Sequence, residues 1–185
     1  MDSKLRNLHQ NRILWIDLEM TGLSPVDDPI LEIGAIVTDW DFKEVATYHG
    51  IVKSKVSLLE SRMALNSEFW DLNPDSKKGL IEQNYSGKSH AAIEKEMLSF
   101  IGKHFEPKTP VLLGGNSIHV DRRFIIAQFP KLDAKLHYRM LDVSAWKVVF
   151  EGKYKKKFAK PDAHRALDDI RGSIMELKYY LSKIK

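Results

Sequence analysis

A chain of 185 residues, 43% apolar and 29% charged, is long enough for one compact domain with a real core, and this composition excludes a disordered polymer. It contains no cysteine, which excludes disulfides and thiolate ligands; any bound metal must rely on carboxylates and histidines, donors that favour hard cations such as Mg²⁺ or Mn²⁺. A net charge of +4, from 29 basic and 25 acidic residues, permits a polyanionic ligand without demanding one.

The first residues, up to Arg12, carry charge without an apolar stretch, so residues 1–11 read as a short lead and not as a signal peptide. No apolar run approaches membrane-spanning length, and the cytosol is the expected location. Ile13 to Met20 (ILWIDLEM) predicts a buried strand interrupted by two acids. Ile30 to Thr38 predicts a second strand and Val45 to Val52 a third, joined by a hairpin at Asp39–Trp40–Asp41. Ser89 is a fair N-cap for a helix that carries Ile93, Met97, Phe100 and Ile101 on one face. Val111 to Leu113 predicts a short strand ended by Gly114–Gly115. A helix follows from Asp121 to Gln128, stopping before Pro130, and then a brief strand from Met140 to Val143. The last helix begins near Ala163, with Ala166, Ile170, Ile174, Leu177 and Leu181 at helical spacing. A three-strand antiparallel meander followed by alternating helices and strands implies an α/β domain, a mixed sheet flanked by helices, over residues 1–185.

Asp17 and Glu19 stand two apart on a strand and so share a face within a buried run. Two carboxylates there are costly unless their charge is matched, by basic side chains or, more economically, by a divalent cation. Glu32 lies alone in the next strand, where a structural or supporting role is expected. Asp121, near a helix start, would by itself be a favourable helix-terminal charge. In DAHRALDDI (162–170), His164 and Asp169 fall about 140° apart on an ideal helix, whereas His164 and Asp168 fall about 40° apart. Either His164 precedes the helix or its partner is Asp168; periodicity leaves both open. Lys153, Lys155, Lys156, Lys157 and Lys160 precede this segment, as a solvated loop or as a patch for an anion.

Taken together, these segments resemble the DEDDh exonucleases, with their Asp-x-Glu on the first strand, a central Asp, and His-x₄-Asp at the last helix. WIDLEMTGL, ILEIG, GNSIHVDRRF, HYRMLDVSA and HRALDDI are similar to the oligoribonuclease branch along nearly the whole chain. The resemblance implies a ribonuclease H-like fold and 3′-to-5′ hydrolysis of very short RNA, dinucleotides above all. It implies two divalent metals, Mg²⁺ or Mn²⁺, held by Asp17, Glu19, Asp121 and Asp169, with His164 as general base. It also implies that Leu23 packs against the bases and that Ser117, Tyr138, Arg139 and Ser144 grip the terminal 5′ phosphate. In such enzymes the tyrosine and arginine come from the other subunit, so a homodimer is expected.

The sequence departs from that pattern at Asp75, Lys78 and Ala145, where the family commonly has histidine, serine and threonine. These changes leave the acids intact and bear on the closing of the substrate cap. The competing expectations are a DEDDh exonuclease for longer single-stranded DNA or RNA, and an inactive binding module. All five positions of the pattern are filled, which speaks against the second.

Overall fold

Branched and aromatic residues drive the sheet, which the computed structural model shows together with its helices for residues 11–159 and 165–184. β1 (Ile13–Met20) pairs antiparallel with β2 (Ile30–Thr38), and β2 with β3 (Glu44–Ile51). β4 (Val111–Gly115) joins the other side of β1 in parallel, and β5 (Leu136–Asp142) continues parallel to β4. The order is β3-β2-β1-β4-β5, the mixed α/β sheet that the sequence predicts.

The helices are α1 (Val56–Leu65), α2 (Ser67–Leu72), α3 (Pro74–Gln83), α4 (His90–His104), α5 (His119–Gln128), α6 (Pro130–Asp133), α7 (Val143–Tyr154) and α8 (Ala166–Leu181). They cover both faces of the sheet. Leu14, Ile16 and Leu18 of β1 face one core with Ile93 and Met97 of α4 and Phe124 of α5. Ile13 and Trp15 face the other, with Val143 of α7 and Ile170, Ile174 and Leu177 of α8. β2 is buried along its whole length, as a central strand covered on both sides must be. Among the described residues, no helix is long and apolar enough to cross a membrane.

Several boundaries differ from expectation, each for a local reason. The β2–β3 connection runs from Asp39 to Lys43, because Asp39 Oδ1 accepts the amides of Asp41 (3.0 Å) and Lys43 (2.9 Å) and Phe42 turns left-handed (φ 59°). β3 accordingly starts at Glu44 and ends at Ile51. β4 includes Gly114 and Gly115, because both pair with β5, at Leu141 and Asp142. β5 begins at Leu136, four residues earlier than its apolar signal, so Tyr138 and Arg139 lie within the strand and not ahead of it. α5 starts two residues early, at His119, and α8 starts at Ala166, three residues later than its periodicity suggests. Residues 1–10 of the expected lead, and Lys160 to His164, lie outside the described residues.

Candidate active site

On β1 the odd-numbered side chains face α8, and Asp17 and Glu19 stand at the carboxyl end of that row. Asp169 comes from the first turn of α8. One carboxylate oxygen from each of Asp17, Glu19 and Asp169 lies within 4.8 Å of the others, a spacing at which one cation can touch all three. Asp168 turns outward, 59% exposed, and pairs with Arg171 at 3.5 Å. Of the two aspartates the sequence leaves open, Asp169 is the one that joins Asp17 and Glu19. His164 lies outside the described residues.

Glu32 explains how α8 is aimed. Its carboxylate, 1% exposed on β2, meets Arg165 Nη2 at 3.1 Å and His49 Nε2 at 3.1 Å. Gln83 Nε2 donates to it at 2.7 Å and the Ala166 amide at 3.3 Å. The Arg165 amide in turn donates to Asp169 Oδ2 at 3.2 Å. Glu32 therefore fastens the first turn of α8, with Asp169 on it, to the central strand. Glycine at position 34 permits the approach, because a Cβ there would lie 2.8 Å from the Ala166 Cβ.

Asp121, buried on α5, sits where the sheet runs out. β4 pairs with β1 only at Leu14 and Trp15, and Asp121 Oδ1 accepts the Leu18 amide beyond that point at 3.0 Å. Burial pushes the Asp121 carboxyl up to about 7, although the Leu18 amide pulls the other way. Glu19 is pushed up to about 8 by burial first and then by the neighbouring Glu32, Asp169 and Asp121 carboxylates, against the pull of Arg165. Among the described residues the site thus brings several carboxylates close together, an arrangement that a divalent cation fits.

The raised Glu19 has a stability consequence. A carboxyl whose folded pKa exceeds its ordinary 4.5 contributes stability that is full below about pH 4.5 and lost as pH rises through about 8. In chelator, Glu19→Gln should therefore melt like wild type at pH 5 and about 3 °C or more higher at pH 8.5. Thermal melts at the two pH values check this; parallel shifts in both proteins would contradict it.

The carboxyl ends of β4 and β5 build a second cluster beside the acids. Ser117 follows β4 in a left-handed backbone conformation (φ 51°), uncommon for a residue with a Cβ. Its amide donates to Asp142 Oδ1 (3.0 Å) and Ser144 Oγ (2.9 Å), and its Oγ lies 2.8 Å from Ser144 Oγ. Asp142 Oδ1 also accepts the Ser144 amide at 2.9 Å, capping α7. Ser144 Oγ donates to Asn116 Oδ1. Sequence reasoning missed Asn116 and Asp142; the one legible signal was Asp-x-Ser after a strand, an N-cap pattern.

Leu23 is 70% exposed on a firmly held turn. Asp28 accepts from Thr21 Oγ1 (3.1 Å), the Ser24 amide (2.8 Å) and Arg62 Nε (2.8 Å), and Trp70 Nε1 donates to the Thr21 carbonyl at 2.9 Å. Tyr138 and Arg139 are exposed on β5, the edge strand, with the guanidinium 5.4 Å from the phenol ring centre. Among the described residues, no hydrogen bond joins either of them to Ser117 or Ser144. Asp75 and Lys78 are exposed on α3, Lys78 reaching Glu82 at 3.9 Å, and Lys153, Lys155, Lys156 and Lys157 are exposed around the end of α7.

An exonuclease family, RNase_T, matches residues 14–177. The chain is 41% identical over 179 residues to an oligoribonuclease of Francisella tularensis subsp. novicida, covering 94% of this chain and 96% of that one. It is 38% identical to an oligoribonuclease of Thiobacillus denitrificans, with 94% of each covered. Among solved structures it is similar to the zinc-bound form of Escherichia coli exonuclease I with single-stranded DNA, at a TM-score of 0.64 and 16% identity. That likeness covers 94% of this chain and 41% of exonuclease I, and speaks for the fold.

Proposed function

The chain belongs to the exonuclease family, alongside the oligoribonucleases, and from that membership we propose that it is a metal-dependent 3′-to-5′ exoribonuclease that hydrolyses very short RNA, dinucleotides above all, to mononucleotides. The observation that carries the reading is the meeting of Asp17, Glu19 and Asp169 from β1 and α8, with Asp121 near enough to raise the Glu19 carboxyl. These four would hold two divalent cations, Mg²⁺ or Mn²⁺, which when bound supply polarisation of the attacking water and charge neutralisation at the leaving 3′ oxygen. His164 takes the water's proton, as a neutral imidazole near physiological pH can. Leu23, exposed on its clamped turn, offers an apolar surface for a base. Cleavage of a 5′-phosphorylated dinucleotide with Mg²⁺ or Mn²⁺, and its loss in chelator, is the direct test.

Ser117 and Ser144 in one protomer, with Tyr138 and Arg139 from a second, form the pocket for the 5′ phosphate in this reading. The exposure of Tyr138 and Arg139 on an edge strand, unattached to the serines of their own chain, supports a homodimer. Arg139→Ala should weaken binding of a 5′-phosphorylated dinucleotide by about 2 kcal/mol, the lower end of the cost of truncating one partner of a charge pair. RNA of seven nucleotides, whose 5′ phosphate lies beyond the pocket, should be affected far less, and an enforced monomer should behave like the variant. Cleavage of two-, three- and seven-residue RNAs by both proteins checks this; a uniform loss at all lengths would leave Arg139 with general phosphate attraction only. The exposed Asp75 and Lys78, with Ala145, favour a second reading, an exonuclease with a wider length range. No length preference in the wild type would select it.

A further inference from the structure

Glu176 of α8 is a buried carboxylate, 1% exposed, that the chemistry above does not use. Among the described residues, two neutral donors reach it: Tyr180 Oη at 2.9 Å and Asn116 Nδ2 at 3.3 Å. Burial and the adjacent Glu176 push the Tyr180 phenol up, so its proton stays in place to donate. A carboxylate only accepts, and this fixes the rest of the chain of contacts. The Asn116 amide must turn its N–H₂ toward Glu176 and its carbonyl toward Ser144, whose hydroxyl donates to it. With that proton committed, the 2.8 Å contact between the serines runs from Ser117 to Ser144, and a Ser144 lone pair holds the Ser117 amide at 2.9 Å. The Ser117 hydroxyl can then turn outward without releasing the anchor at Asn116.

We propose that Glu176 is a positioning residue for the 5′-phosphate pocket: by orienting Asn116, and through it Ser144, it holds Ser117 ready to donate to a terminal phosphate. This rests on the reading of Ser117 and Ser144 as that pocket. Burying the carboxylate is costly, and the two hydrogen bonds that offset the cost hold Tyr180 on one side and orient Asn116 on the other. Its effect is on substrates that carry a 5′ phosphate and not on the hydrolysis itself.

The test compares kcat/KM for the dinucleotide pApA with that for ApA, which has a 5′ hydroxyl. In Glu176→Leu the preference for pApA should fall by about fivefold, one hydrogen bond's worth, while kcat on ApA stays within about twofold of wild type. Glu176→Gln should keep the preference, because its amide oxygen still accepts from Asn116 and its nitrogen can meet Tyr180. Asn116→Ala breaks the chain from the other end and should repeat the loss, which covers the case of a Glu176→Leu protein that does not fold. A preference retained in both Glu176→Leu and Asn116→Ala, or an equal loss of kcat on both substrates, would overturn the proposal. A wild type that ignores the 5′ phosphate would overturn the pocket reading first, and the role of Glu176 with it.

Discussion

Asp17→Asn, or Asp169→Asn, should lower cleavage of short RNA by about 10⁴-fold while leaving the metal-free fold intact. The two side chains come from different elements, β1 and α8, and present oxygens to one point within 4.8 Å. An amide keeps the shape but brings neither the charge nor the second anionic oxygen that a hard cation needs. Several kcal/mol of charge stabilisation depend on that cation, and each 1.4 kcal/mol is about tenfold in rate. The fold itself should not suffer, because removing one charge from a crowded acidic cluster relieves repulsion. Turnover of a 5′-phosphorylated dinucleotide, measured beside melting curves in chelator, separates the two effects. Wild-type-like turnover in either variant would sink the metal assignment.

His164→Ala should lower kcat by about 10²–10⁴-fold, the usual worth of a general base, with metal affinity nearly unchanged. The sequence places this histidine five residues before Asp169, and α8 begins only at Ala166. Titrating each protein with Mn²⁺ while following both binding and turnover distinguishes a base from a ligand. If metal binding collapsed together with the rate, His164 would belong among the ligands and the division of roles would have to be redrawn.

The central strands were legible because β1 and β2 are continuous apolar runs, and two acids on one face of such a run stand out. α8 was legible from its period, and its first turn carries the Asp169 that the motif selects. Other features depend on contacts distant in sequence, and these left no local trace. β5 was truncated by the polar look of Tyr138 and Arg139, which is what an edge strand facing outward requires. α7 carries no start signal of its own, because it follows β5 without a break, capped by an aspartate that reads as strand end. Glu32 was legible as a supporting residue, but its partners Gln83, His49 and Arg165 come from three separate segments. Nothing in periodicity joins Asn116 to Glu176, sixty residues apart, and that link governs the serines.

The fastening of α8 to β2 through Glu32 also bears on when the protein can first act. Asp17 and Glu19 leave the ribosome early, whereas Asp169 is made about 150 residues later and is aimed only once Arg165 and Ala166 dock on Glu32. A nascent chain stalled before α8 holds at most three of the four acids, and Glu32 without its Arg165 and Ala166 partners. Abandoned translation products would therefore be inert toward the RNA around them, and hydrolysis would switch on as a late, all-or-none event of synthesis.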